Sequence, residues 1–277
     1  MLQKGSLKGM YIPIITPMKY GEFDEVSMGK LIDSVDEYVD GYVPCLSSGE
    51  GAFLTKELWV KVTSFVRSKT TKPVIAGIKR KTQEEIIELV KIAEKIGCDA
   101  YIIPVPSSDF KKTKEHIESL LQKTSLPMVI YNTETEHICR IEDMKEIDAI
   151  ERVIAIKDSS MKEDFFVQMC DAQLKGELHM SVLQGMEHQL DVSNGCDGYL
   201  VSLLNTEPLL VREYFKNRDT TLEKELFDKF MKYNLGSEWF VTLKALLFSK
   251  GVIDSAEQVK QFIELPDATL KSLRQDG

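Results

Sequence analysis

The sequence predicts an α/β fold, a (β/α)8 TIM barrel with a C-terminal helical extension. Three observations predict it. Short apolar, β-branched runs alternate with longer segments of helical periodicity. The runs end at Thr16, Ser47, Gly77, Pro104, Tyr131, Lys157 and Gln184, so successive ends lie 26 to 31 residues apart, the span of one strand–helix unit. No GxGxxG or Walker-type phosphate turn follows any of them, and an open nucleotide-binding sheet would need one.

The first strand is placed at Tyr11–Thr16 and the second at Tyr42–Ser47. Between them Leu31, Ile32, Val35 and Val39 make one apolar stripe, with Gly41 as its stop. After the second strand a helix is expected from Glu50 through Val66, with Phe53 and Leu54 inward. Strand three is Pro73–Gly77. Its helix opens on Thr82-Gln-Glu-Glu85, where hydroxyl and carboxylate can cap each other's backbone N–H groups. Ile86, Val90 and Ala93 share a face, and Gly97 stands where a left-handed cap would end the helix. Strands at Ala100–Pro104, Met128–Tyr131, Val153–Lys157, His179–Gln184 and Gly198–Ser202 complete eight. One small helix fits between Met186 and Asn194.

Beyond Asn205 the strand signals stop. Thr220-Thr-Leu-Glu223 resembles another capping box, and Phe227, Phe230, Met231, Trp239, Phe240, Leu243, Leu246 and Leu247 supply apolar faces. Residues 1–206 are therefore expected to form the barrel. Residues 207–277 are expected to form a helical region packed on it or on a partner subunit.

Composition narrows the function. Of 277 residues, 43% are hydrophobic and 29% charged, a globular balance that excludes a disordered or fibrous chain. The net charge of −9 and the lack of a basic stripe argue against a nucleic-acid partner. No apolar run is long enough to span a membrane, and Pro13 interrupts the only stretch that could mimic a secretory signal. Five cysteines, odd in number and without CxxC, fit reduced thiols in a cytoplasmic protein. His116, His137, His179 and His188 show no ligand spacing, so no metal is expected.

In such a barrel, functional side chains stand at the C-terminal ends of the strands. Lys157 is the sharpest candidate. It ends the apolar run Val153-Ile154-Ala155-Ile156, and a lysine emerging from a buried strand is desolvated, which favours the neutral amine. Such an amine can form a Schiff base with a ketone. The plainer alternative is a lysine that reaches solvent or pairs with Asp158. Tyr131 ends the neighbouring strand and could shuttle protons, or it could simply pack at the rim. Ser47 and Ser48, in Ser47-Ser48-Gly49-Glu50-Gly51, offer hydroxyls and backbone N–H groups to a carboxylate, or a plain helix cap. Leu200, in the eighth run, is placed with Ser47 and Ser48 among the substrate-binding residues. Together these groups describe a site for a 2-oxo acid.

The same residues carry a resemblance over nearly the whole chain. Gly9 to Pro17, Ser47-Ser48-Gly49-Glu50, Val74-Ile75-Ala76-Gly77, Tyr131-Asn132, Ile156-Lys157-Asp158-Ser159-Ser160 and Leu243 to Val252 stand in the order of corresponding segments in one family. The chain resembles the dihydrodipicolinate synthase / N-acetylneuraminate lyase family of class I, Schiff-base aldolases, as a divergent member. The resemblance implies a carbon–carbon or carbon–oxygen lyase in which Lys157 is the Schiff-base residue and Tyr131 the proton shuttle, with Ser47 and Ser48 on the carboxylate. It implies pyruvate or a related 2-oxo acid and an aldehyde as partners, no cofactor, and a homo-oligomer, dimer or tetramer.

Departures concern the second substrate. Leu46 replaces the first glycine of the carboxylate motif, and about Glu136 falls where dihydrodipicolinate synthases carry an arginine. Pro104-Val105-Pro106-Ser107 lacks the tyrosine that the family donates across a subunit interface. Two other readings therefore stand beside the main one: dihydrodipicolinate synthase proper, using aspartate semialdehyde, and a 2-oxo-acid-binding member with reduced catalysis. Lys79-Arg80-Lys81, past strand three, is either a solvated loop or a contact to an acidic or phosphorylated second substrate.

Overall fold

A computed structural model describes residues 2–192, 195–233 and 239–260. Eight parallel strands form the barrel: β1 (Gly9–Ile12), β2 (Gly41–Tyr42), β3 (Ile75–Gly77), β4 (Ala100–Pro104), β5 (Met128–Asn132), β6 (Val153–Asp158), β7 (Ser181–Gln184) and β8 (Gly198–Tyr199). Their hydrogen-bonded order is β2-β1-β8-β7-β6-β5-β4-β3. Tyr42 pairs with Val74, and Gly77 N donates to Pro44 O at 2.9 Å, which joins β2 to β3 and closes the ring.

Strand alternation builds two apolar layers. Ile102, Val129, Ile154, Leu183 and Leu200 fill the barrel interior, while Ile103, Ile130, Ile156 and Val182 face the helices outside. Both faces of each strand are thus buried, which is why the strands are near-continuous apolar runs.

The helices start where polar caps stand. Asp24 accepts from Val26 N and Ser27 N at the head of α1 (Glu25–Val35), and Thr55 accepts from Leu58 N at the head of α2 (Lys56–Lys69). The Thr82/Glu85 capping box opens α3 (Gln83–Ile96), and Gly97, at φ 88°, closes it. Then follow α4 (Phe110–Lys123), α5 (Ile141–Asp148) and α6 (Glu163–Leu174).

Four local expectations are corrected. The segment from Glu50 is a chain of turns, and the helix starts only at Lys56. Glu50 sits at φ 57°, in the left-handed region that an α-helix excludes, and a Cβ at Gly51 would overlap the Cys45 carbonyl oxygen. Phe53 is consequently exposed rather than inward. The small helix after β7 is a single 3₁₀ turn, Glu187–Gln189, and Ser193 and Asn194 lie outside the described residues. At the head of α8 (Thr220–Tyr233) the cap is Asp219, whose carboxylate accepts from Thr221 N at 2.8 Å and Leu222 N at 3.2 Å. The first strand lies earlier than expected, because the chain from Pro13 onward leaves the ladder; a Met18–Lys19/Glu22–Phe23 hairpin then follows around Tyr20 and Gly21, both at positive φ.

Past β8 come α7 (Pro208–Asn217), α8 and α9 (Trp239–Ser249). Along α9, residues 240 to 247 are all buried, so this helix is part of the core and closes one side of the barrel mouth. Residues 261–277 of the expected helical region lie outside the described residues.

Candidate active site

A cavity of ≈ 460 Å³ opens at the C-terminal ends of the strands. Lys157 and Tyr131 both line it. They are register partners on β6 and β5, so the alternation that sends Ile130 and Ile156 outward points both inward. The Lys157 Nζ lies 4.2 Å from the centroid of the Tyr131 ring. Lys157 is only 5% exposed. Asp158 does not take up the amine: its carboxylate accepts from Asn132 Nδ2 at 2.9 Å and Ser160 Oγ at 3.0 Å. Burial raises the Asp158 carboxyl above its usual range, against the pull of those bonds.

Gly185, just past β7, makes room for this arrangement. A Cβ there would lie 2.6 Å from Lys157 Cε and would overlap Ser159 Oγ. The lysine stem therefore passes over bare backbone. Ser159 is 4% exposed, and its hydroxyl lies beside Tyr131.

Tyr131 titrates below the ordinary phenol range. Burial is the largest single influence and pushes upward, but the Lys157 ammonium, the Ser159 and Ser47 hydroxyls and the Lys79 ammonium together outweigh it. A phenol tuned in this way gives up and regains a proton more readily at moderate pH.

The serine turn faces the same space. Ser47 is beside Tyr131, and Ser48 Oγ lies 2.5 Å from Ser202 Oγ. Of the turn's N–H groups, those of Glu50 and Gly51 are occupied by Ser47 O and Leu46 O. Because no helix begins here, the serine hydroxyls, not a helix N-terminus, are the polar groups presented to the cavity. Thr16 Oγ1 donates to Gly49 O at 2.7 Å and fixes the turn to the segment that follows β1. Arg80 donates to Gly51 O at 2.6 Å and Leu54 O at 2.9 Å, so it braces the turn, whereas Lys79 lines the cavity.

Leu200 is elsewhere. It is fully buried in the interior layer, packed with Val43, Leu183 and Ile154 below the cavity rather than on its wall. Glu136 also faces away: its carboxylate accepts from Ser108 Oγ at 2.9 Å and ties the loop after β5 to the loop after β4. Cys45 is buried, and burial pushes its thiol up to about 12, which leaves no thiolate for nucleophilic chemistry.

Several site groups were not singled out in the sequence. Glu187, 8% exposed, accepts from Ser202 N at 2.5 Å and Leu203 N at 3.2 Å. Burial raises its carboxyl above the usual range, with those backbone bonds and Lys157 opposing. Its signal was its place two residues beyond Gly185 at a strand end. Ser159 and Ser202 stand just past strand ends too. Phe230, Trp239 and Phe240 line the cavity from α8 and α9 and were legible only as apolar faces. No cluster of three or more metal-ligating side chains occurs, and no helix is long and apolar enough to cross a membrane, both among the described residues.

The chain is similar to known proteins over much of its length. The 4-hydroxy-tetrahydrodipicolinate synthase of Thermodesulfovibrio yellowstonii is 32% identical over 162 residues, 55% of this chain and 55% of that protein. Along that match, the chain spans about half the relative's length. The Bradyrhizobium diazoefficiens protein of the same name is 27% identical over 255 residues, 83% of this chain and 81% of that one. The crystal structure of YagE, a prophage protein of Escherichia coli K12 in the dihydrodipicolinic acid synthase family, solved with pyruvate, superposes with a TM-score of 0.88 at 20% identity. It covers 97% of this chain and 96% of that one. The model of the dihydrodipicolinate synthetase family matches residues 6–265, and this chain belongs to that family.

Proposed function

We propose that the protein is a class I lyase or synthase in which Lys157 forms a Schiff base with pyruvate or a related 2-oxo acid. The observation that carries this reading is the Lys157 amine, buried and 4.2 Å from the Tyr131 ring, in a cavity that the Ser47 and Ser48 hydroxyls also face. The 2-oxo acid's carboxylate is received by Ser47 and Ser48. The Lys157 amine adds to the ketone carbon, and Tyr131 protonates the resulting oxygen so that it departs as water. The iminium then draws electrons from C3. Loss of a C3 proton gives an enamine, which adds to an aldehyde; the reverse sequence cleaves an aldol. Positioning in the cavity and proton transfer by a tuned phenol supply the acceleration.

Two features favour an aldehyde other than aspartate semialdehyde. Glu136 falls at about the position of the arginine that would hold a second carboxylate, and its own carboxylate is engaged by Ser108. The segment Pro104-Val105-Pro106-Ser107 at the end of β4 carries no tyrosine. The family resemblance extends the reading to a homo-oligomer, dimer or tetramer.

Exchange of the pyruvate methyl protons in D2O, above the rate in buffer alone, tests the reading, because the enamine makes it fast. Wild-type protein should deplete the methyl NMR signal, and the Lys157→Arg variant should not. Equal exchange by both would overturn the proposal.

A further inference from the structure

We infer that the second substrate is a neutral aldehyde carrying an aromatic or similarly planar apolar group, seated against a wall of Phe53, His188, Phe230, Trp239 and Phe240. This inference rests on the Schiff-base reading of the same cavity. All five rings line the cavity that holds Lys157. Three of them form a continuous tilted stack: His188 and Phe230 have centroids 5.0 Å apart at 33°, and Phe230 and Trp239 5.4 Å apart at 36°. Phe53, at 40% exposure, forms the outer edge of this wall, with the Lys260 Nζ 5.9 Å from its ring centroid. Ring faces of this kind favour an offset or edge-on aromatic guest.

Two polar atoms in the wall point the same way. His188 Nδ1 and Trp239 Nε1 are buried without a hydrogen-bond partner among the described residues. Buried polar groups of this kind are costly unless a partner arrives, and a hydroxyl or carbonyl on a ring substrate would be one.

The charges of the cavity disfavour an anionic partner. Lys79 lines it, but Glu134 lines it as well and offsets the charge. Glu187 is committed to the Ser202 and Leu203 N–H groups, and Glu136 is turned to Ser108. A second carboxylate would therefore enter a lining that carries Glu134 as well as Lys79, at a desolvation cost that a neutral ring avoids.

The step is an aldol addition. C3 of the Lys157-bound enamine attacks the aldehyde carbon and forms the new C–C bond. The carbonyl π electrons move to oxygen, which takes a proton from the Tyr131 hydroxyl. Water then hydrolyses the iminium, which frees Lys157 and releases a 4-aryl-4-hydroxy-2-oxo acid. No other reactant is consumed.

The test uses the full chain with pyruvate and three aldehydes: benzaldehyde, succinic semialdehyde and glyceraldehyde. Methyl exchange of pyruvate is measured first in every preparation. We expect benzaldehyde to have the highest kcat/KM. Phe230→Leu and Trp239→Leu, each a stacking loss, should lower the benzaldehyde value roughly tenfold relative to glyceraldehyde. Exchange in each variant separates a failure to fold from a failure to bind the aldehyde. Binding is read independently with benzyl alcohol. Of the two tryptophans, Trp59 is buried with its Nε1 on Gly77 O at 2.8 Å, so a change in fluorescence should come from Trp239 and vanish in Trp239→Phe. Pyruvate exchange without benzaldehyde turnover, or an unchanged selectivity in both leucine variants, overturns the inference and leaves the Schiff-base reading standing. A lack of exchange overturns both.

Discussion

Lys244 and Glu50 form a fully buried ion pair between α9 and the serine turn. Lys244 is 0% exposed and Glu50 1%. The Glu50 carboxylate also accepts from Val259 N at 2.7 Å, and the Lys244 ammonium donates to Glu257 O at 2.8 Å. The last described stretch of chain is thus fastened to the loop that carries Ser47 and Ser48. For both partners burial is the dominant influence: it raises the Glu50 carboxyl and lowers the Lys244 ammonium, each against the other's attraction.

The two partners should therefore respond very differently singly and together. Lys244→Met leaves Glu50 buried and uncompensated and should cost about 3–5 kcal/mol. Pairing it with Glu50→Gln should recover most of that loss. Urea denaturation of the single and double variants measures the difference. Equal destabilisation by Lys244→Met alone and by the double variant would mean the pair is not coupled.

Gly185 should be intolerant of a single methyl group. In Gly185→Ala the new Cβ meets Lys157 Cε and Ser159 Oγ, so the amine must move from its place over Tyr131. A displacement near 1 Å is enough to cost on the order of a hundredfold in rate. Pyruvate exchange should fall by about that factor while the circular dichroism spectrum is retained. Unchanged exchange would show that the lysine stem is not held against Gly185.

Tyr131 should set the basic limb of the pH–rate profile. Its net shift is downward, so if its protonated form is needed, activity should decline below the ordinary phenol value of about 10. Ser159 is one of the groups that lower it, so in Ser159→Ala the limb should move to higher pH. Tyr131→Phe should remove the limb along with most of the rate. A limb unmoved by Ser159→Ala would separate it from Tyr131.

Glu187 should make stability fall as pH rises. Its folded-state value lies above the unfolded one of about 4.3, so the folded chain holds this proton more tightly. Its contribution is complete below the unfolded value and is lost as pH climbs through the folded one. Glu187→Gln, which keeps an oxygen for the Ser202 and Leu203 N–H groups, should gain on wild type as pH is raised from 4 towards neutrality. Thermal melts across that range give the sign directly.

Much of this was legible because strand burial is written in composition. The runs around Ile130 and Ile156 are apolar on both faces, so Tyr131 and Lys157 stand out as polar ends of buried strands, and the Thr82/Glu85 box and Gly97 mark their helix without tertiary information. The turn after Cys45 reads as helix because Glu and Ala are ordinary helix residues, while the left-handed Glu50 and the close approach of Gly51 to Cys45 O emerge only from tertiary packing. Leu200 shows the same limit from another side: β8 ends at Tyr199, and what buries Leu200 under the cavity is the packing of its neighbours, which a single strand's pattern does not reveal. The wall from Phe230 and Trp239 was equally hidden, since an apolar helix face does not say whether it meets core or cavity.

The most direct test of the central claim is borohydride reduction in the presence of pyruvate, followed by peptide mapping of the adduct. The account predicts one reduced pyruvate per chain, carried by the peptide containing Lys157 and absent from Lys157→Arg. An adduct on another lysine, or an undiminished yield in that variant, would contradict it.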